Sequence, residues 1–342
     1  MEPILTTAVL TAFTVISATA PDRMGHRIGG ISSLRWDENR RVMMALPDRG
    51  YLDGMVDYVP RFHEFEVIET EKETSWKLLR TVPFRDMEGE FFSGLAKTTS
   101  THIDPEGLAI VPDGTLYVTD EYIPAVYHFD REGRMLGRLM PPKDYIPDEK
   151  EEIGRTENRG FEGLCLMPDG RRLAVLLQGP LAQDGGREGA YTRLLLYDVL
   201  KPDEPPREYR VAMPSAAQQP PEQGLKQKDF AFNEVEAVSN NSLLLLERSN
   251  RGKGHKPGGR AAAAYKRVVW VDINDDGSTT KTPYLDIVKI AGEAGMEPQE
   301  LGVKFESLAW GRSAGGKRSL WLAVDNDFKS DVDTQLFRIS VP

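Results

Sequence analysis

The 342-residue chain has one cysteine and five histidines, and both shortages remove chemistry. With Cys165 alone, no disulfide can form within the chain, and a cysteine-based zinc site is excluded. Cys165 lies in Gly163-Leu164-Cys165-Leu166-Met167 and reads as a small buried apolar residue. His26, His63, His102, His128 and His255 show no metal-binding spacing. No window approaches 18 uninterrupted apolar residues, so no membrane-spanning helix is expected. Positive charge is also short: 43 Lys and Arg face 53 Asp and Glu, for a net charge of -10. Nucleic acid is therefore not an expected partner, because phosphate binding needs a basic footprint. A Gly-x-Ser-x-Gly elbow and a P-loop are both missing, which weighs against serine-hydrolase and nucleotide-binding chemistry. The first 20 residues lack a basic n-region and alternate threonine with apolar residues, so they read as strand rather than signal peptide. If the protein is exported, its leader has been removed from this chain.

What the chain does have is a repeated sentence. Asp104-Pro105-Glu106-Gly107-Leu108 opens a short apolar run, Pro112-Asp113-Gly114 turns it, and Leu116 to Thr119 returns and ends on Asp120 and Glu121. Two apolar runs joined by Asp-Gly are a strong hairpin signal. Glu162-Gly163-Leu164, Glu236-Ala237-Val238 and Glu306-Ser307-Leu308 open three similar units, and Gly30-Ile31 stands at that place in the first. The second strands end on Asp48, Asp120, Gln178, Glu247 and Asp325. Several short strands per unit, repeated at this period, predict an all-β fold, a β-propeller. Five units are visible. Six blades are expected, with the N-terminal strand and residues 81–103 helping to complete the ring, and the whole of 1–342 is expected to be one domain. A short helix is expected within Leu285 to Gly295.

If the repeated Glu opens the innermost strand of each blade, Glu106, Glu162, Glu236 and Glu306 converge on the channel axis. Like charges at such spacing repel strongly in a partly dry channel. Oxygen-only ligands without His or Cys suit a hard cation, and Ca²⁺ accepts six to eight of them. Alternatively each Glu accepts hydrogen bonds from the neighbouring blade and only ties the ring together. Asp48, Glu121 and Glu247 at strand ends are further candidate ligands, or ordinary turn formers. Asp120 and Asp325 carry the same ambiguity. Arg49, Arg159, Arg248 and Lys304 stand beside these acids, either to bind an anionic ester or to pair with the acids. His102 is a candidate general base.

Taken as a set, Ile28-Gly29-Gly30-Ile31-Ser32, Leu46-Pro47-Asp48-Arg49-Gly50, Asp104 to Leu108, Thr119-Asp120-Glu121-Tyr122, Asn158 to Leu164, Asn233-Glu234-Val235-Glu236 and Phe305-Glu306-Ser307-Leu308 resemble the phytase-like family described as "esterase-like activity of phytase". The resemblance runs from about residue 9 to the end. It implies a propeller related to calcium-dependent alkaline phytases, periplasmic or secreted, that hydrolyses ester or phosphoester bonds of a small molecule. The mechanism expected is metal-assisted: Ca²⁺ held by the four Glu polarises the phosphoryl or acyl oxygen and positions water. Arg159 or Arg248 stabilises the developing charge, and Asp120 or Asp325 activates the water. Two alternatives remain open at this stage. One is a lactonase or phosphotriesterase of the calcium-propeller kind. The other is a non-catalytic propeller that binds a ligand or protein, with structural calcium.

Overall fold

A run such as Leu243-Leu244-Leu245-Leu246 has no polar face, so a strand built on it must bury both sides. All four side chains are buried, Leu243 and Leu245 in one hydrophobic cluster and Leu244 and Leu246 in the next. Met43 and Ala45 against Met44 and Leu46 divide in the same way, as do Leu173 and Val175 against Ala174 and Leu176. Strands that are apolar on both faces call for sheets stacked on sheets around a ring.

The computed structural model describes residues 8–69, 73–95, 102–148, 150–253, 262–312 and 318–341. Over these residues twenty strands form five antiparallel four-stranded sheets. The N-terminal strand is β1 (Val9–Ile16). The first blade is β2 (Ile31–Asp37), β3 (Val42–Pro47), β4 (Arg61–Glu69) and β5 (Thr74–Pro83). The second is β6 (Pro105–Ile110), β7 (Leu116–Asp120), β8 (Ala125–Phe129) and β9 (Met135–Leu139). The third is β10 (Phe161–Leu166), β11 (Arg172–Leu177), β12 (Tyr191–Asp198) and β13 (Arg207–Ala212). The fourth is β14 (Phe230–Ala237), β15 (Ser242–Ser249), β16 (Lys266–Ile273) and β17 (Thr279–Asp286). The fifth is β18 (Lys304–Arg312), β19 (Arg318–Asp325) and β20 (Thr334–Ser340), with β1 as its outer strand. The helix Ile287–Glu293 falls inside the expected segment and is capped by Asp286, whose side chain accepts from the Lys289 amide. No helix among the described residues is long and apolar enough to cross a membrane.

The propeller therefore has five blades, which corrects the expectation of six. The N-terminal strand does not begin a blade but closes the last one, pairing Val9 to Ile16 with β20. Of the stretch expected to help complete a sixth blade, residues 81–83 belong to β5. The rest of its described part makes only isolated bridges, Arg85 to Phe91 and to Arg134, and Ser93 to His102. Long connections take up the remaining length. The five hydrophobic clusters each combine residues from two adjacent blades, the fifth joining blade five to blade one through Trp321, Ala309, Ile31 and Leu34.

The innermost strands β2, β6, β10, β14 and β18 contact one another around the axis. Each carries a register irregularity near its start: Ile31/Ser33, Pro105/Leu108, Phe161/Leu164, Phe232/Glu234 and Phe305/Ser307. A bulge re-aims the side chain it contains. The structurally equivalent residues at that place are Ser32, Glu106, Glu162, Asn233 and Glu306. The following position is tight. A Cβ on Gly107 would stand 2.3 Å from the Glu162 carbonyl oxygen, and one on Gly163 2.7 Å from the Glu234 Cα. Glu-Gly-Leu is thus a packing motif as well as a source of carboxylate, since backbone must approach backbone there.

Midway down the channel Arg35 closes the axis. Its guanidinium donates to Glu234 Oε1 at 2.9 Å and Glu236 Oε1 at 3.0 Å, and to the carbonyls of Leu308 and Val235 at 2.8 and 2.9 Å. One side chain from blade one thereby binds blades four and five, and the Leu164 carbonyl of blade three as well. Glu234 is fully buried, so removing its cation is costly. Arg35→Met is expected to lower stability by roughly 3–5 kcal/mol in urea unfolding. A change below about 1 kcal/mol contradicts the assignment of Arg35 as the axial tie.

Candidate metal centre

The acidic end of the channel is built from strand ends. Asp104 and Glu121 face each other where the β6–β7 hairpin opens, the Glu121 amide donating to the Asp104 carbonyl at 3.0 Å. Glu106 follows in the bulge of β6. Carboxylate oxygens of Asp104, Glu106 and Glu121 all lie within 4.8 Å of one another, and the three residues are buried. Glu162 and Glu306 come from the equivalent bulges of blades three and five. Glu162 Oε1 accepts from Gln178 Nε2 and Asn233 Nδ2, each at 2.7 Å. Glu306 Oε1 accepts from Arg248 Nη2 at 2.8 Å. These groups surround a cavity of about 280 Å³ lined by eight carboxylate and five cationic side chains.

The acids outnumber their partners, and the electrostatics show it. Arg49 reaches Asp104 with Nη1 3.3 Å from Oδ2, but is also bound by Asp53. Among described residues no donor reaches the Glu106 carboxylate. Burial, followed by the charges of Glu162, Asp104 and Glu121, raises its pKa well above the carboxylate range. Burial and then Glu121 and Glu306 do the same to Glu162. Burial raises Glu121 to about 8 and Asp104 to about 6 despite Arg49. Asp48 is raised by burial and by Asp325 beside it, and Asp325 is itself raised to about 8 although Lys304 Nζ lies at 2.9 Å. Buried carboxylates so placed must take up protons or share a cation. Three acceptor atoms here are buried with no donor: Glu121 Oε1, Glu162 Oε2 and Asn233 Oδ1. An all-oxygen set with orphaned acceptors fits a hard divalent cation.

The expected residues fall into three groups. Glu106, Glu162, Glu306, Asp48, Glu121, Arg159 and Arg248 line the cavity. Asp325 stands at its edge, bound to Lys304, with the Asp327 amide on Oδ1. Four others lie elsewhere. Glu236 sits three residues beyond the bulge and turns to Arg35 and the Trp310 amide, so Asn233 takes the place expected for a Glu. Glu247 is held by Lys281 Nζ and the Tyr265 hydroxyl. Asp120 is a turn acid, its Oδ1 accepting from the Asp104 and Tyr122 amides. His102 packs edge-on to Tyr122, outside the cavity wall. Bonding between blades describes Glu234 best, because it accepts from Ser33 and from the Leu164 amide.

Asn233, Gln178 and Asp104 were not singled out as site residues. A signal existed for Asn233. Glu106 and Asp113, Glu162 and Asp169, and Asn233 and Asn240 are each seven apart, whereas Glu236 and Asn240 are four apart. For Asp104 the repeat is silent, because Gly160, Ala231, Lys304 and Gly30 occupy its place in the other units.

Fold and site together define a five-bladed propeller with a buried carboxylate cavity at one mouth of its channel. The chain belongs to the phytase-like family, described as esterase-like activity of phytase, whose model matches residues 26–328. It is 29% identical over 269 residues to an uncharacterized secreted protein of Arthroderma benhamiae, covering 56% of this chain and 52% of that protein. The chain thus spans about half the length of this curated relative. Among solved structures, the periplasmic gluconolactonase PpgL of Pseudomonas aeruginosa is similar with a TM-score of 0.42 and 11% identity, over 93% of this chain and 90% of that one. A gluconolactonase of Xanthomonas campestris gives 0.39 and 12%, over 98% of both. Virginiamycin B lyase of Staphylococcus aureus gives 0.36 and 8%, over 96% and 99%. Similarity at this level carries no argument about the site.

Asp104, Glu121 and Asp325 all have native pKa values above those of free carboxyls, so between about pH 4 and 8 the cation-free native state holds more protons than the unfolded chain. Their contribution is complete in acid and is lost as pH rises. The Tm of chelator-treated protein is therefore expected to fall from pH 5 to pH 8. A Tm that rises over this interval contradicts the charge assignment.

Proposed function

We propose that the chain, acting as one domain, is a calcium-dependent hydrolase of ester or phosphoester bonds in a small molecule. The observation that carries this reading is the buried Asp104–Glu106–Glu121 cluster, all oxygen and short of cations, in a member of a family described by esterase-like activity. Asp104, Glu106 and Glu121 would hold the ion, with Glu162 and Glu306 across the cavity. When bound, calcium supplies a Lewis acid for a phosphoryl or carbonyl oxygen.

The remaining residues bind charge and handle protons. Arg159 and Arg248 share one side of the cavity with Arg187. Burial, and then the neighbouring Arg187 and Arg248, lowers Arg159 to about 10. Cations crowded together in this way favour an anionic group between them. Arg248 keeps one buried donor, Nε, without a partner. Asp48 lines the cavity beside Asp325, its Oδ1 accepting from the Gly50 amide, and is our candidate for proton transfer at its carboxyl in place of Asp120, which is not part of the cavity wall. Nucleic acid is not a partner in this reading, which the acid-rich wall and the net charge of -10 support. We place the protein outside the cytoplasm, periplasmic or secreted, a reading supported by the name of the Arthroderma protein.

Chelation is expected to abolish turnover of p-nitrophenyl esters and phosphoesters, and added calcium to restore it. Equal rates with and without chelator contradict the reading. Glu106→Gln should weaken calcium binding at least about tenfold in titration calorimetry, while Glu236→Gln leaves the affinity unchanged. Asp48→Asn should lower kcat about 100-fold or more. A variant that instead loses calcium affinity and keeps kcat at saturating metal assigns Asp48 to the ligand set.

A further inference from the structure

A second cavity, of about 520 Å³, adjoins the acidic one and shares Asp327 and Lys329 with it. Its character is different. Tyr51, Leu52, Val56 and Phe328 are its apolar lining, and Arg27, Asp327, Lys329, Ser330 and Asp331 complete the wall. The rings of Tyr51 and Phe328 are 4.8 Å apart and those of Tyr58 and Phe328 5.2 Å, so the aromatic wall is packed and fixed. Gly30 makes room for it, since a Cβ there would fall 2.1 Å from the Phe328 ring.

The facing wall is the loop that follows Arg49. Leu52 is 69% exposed, Met55 76% and Val56 43%, three large apolar residues within five positions of one loop. Exposed apolar side chains grouped beside a polar cleft mark a contact surface. The same loop reaches into the acidic cavity through Asp53, which is bound to Arg49. Leu52, Asp53, Asp327 and Phe328 all have positive φ without being glycine, two on each side of the groove. Such conformations persist only where surrounding structure holds them, and they concentrate at binding sites.

We infer that this groove is the subsite for an apolar alkyl or acyl chain on the substrate, which rests on the hydrolase reading above. The reacting ester sits among the carboxylates and arginines, and the chain leaves past Asp327 onto Leu52, Val56 and Phe328. The preferred substrate is then an amphiphile with one anionic or ester head. A compact polyanion has no apolar part to place on Leu52, Val56 and Phe328.

Octylphosphonate and methylphosphonate, neither of which is hydrolysed, test the groove without turnover. In calcium, octylphosphonate is expected to bind at least tenfold more tightly by calorimetry, and Leu52→Asp or Val56→Ser to reduce the ratio to near one. Equal affinities, or no binding of either, overturn the proposal. In parallel, kcat/KM for p-nitrophenyl esters should rise at least tenfold from acetate to octanoate, and a flat series likewise counts against it. Tighter octylphosphonate binding without hydrolysis of any ester or phosphoester leaves the groove standing and removes the hydrolase reading. Self-association abolished by Leu52→Asp, with no dependence on chain length, assigns the surface to a second copy and overturns the proposal.

Discussion

Repulsion among buried carboxylates is the constraint on which the acidic end of this propeller depends. Asp104, Glu106 and Glu121 place oxygens within 4.8 Å of one another, and Glu162 and Glu306 add charge from across the channel. Arg49, Arg248 and Lys304 offset part of it. Glu106, with no donor among the described residues, is left with a pKa pushed well up by burial and its neighbours. A protein that only needed glue between blades could use neutral amides, as it does with Asn233 and Gln178. Keeping acids where amides would fit is what supports the proposed cation site.

The fold makes this arrangement possible through one local device repeated five times. A bulge near the start of each inner strand turns a side chain toward the channel mouth, and a small residue often follows, where backbones touch. In blade four that small residue is replaced by Glu234, which reaches the axis and meets Arg35. The plug divides the channel. Beyond it, the opposite mouth is a cavity of about 670 Å³ walled by residues such as Trp36, Trp310 and Met167. The excess of carboxylates lies at one end, where the bulge residues Glu106, Glu162 and Glu306 join acids from strand ends and loops, whereas the opposite cavity carries Glu38 and Glu236 with Arg35 and Arg318.

The propeller was legible because a hairpin opening on Glu-small-apolar, with two apolar runs joined by a turn such as Pro112-Asp113-Gly114, recurs along the chain. The blade count was not, because nothing in an alternating N-terminal strand says whether it opens a blade or closes one, as Val9 to Ile16 does. Three of the four repeated glutamates lie at the cavity. The fourth, Glu236, misled because Asn233-Glu234-Val235-Glu236 offers two glutamates in a strand whose bulge residue is Asn. Asp104 was hidden for the opposite reason: it belongs to one blade only, and a repeat reveals nothing that is not repeated. Asp120 and Glu121, adjacent in sequence, point to different fates. One oxygen of Asp120 serves the turn, while Glu121 joins the cluster.

Calcium-dependent anomalous scattering from a crystal of the protein addresses the central claim most directly. The account predicts a difference peak within coordination distance of Asp104, Glu106 and Glu121, at roughly 2.3–2.6 Å from their oxygens. A peak confined to other residues, or none at saturating calcium with the three carboxylates bridged only by protons and Arg49, would contradict it.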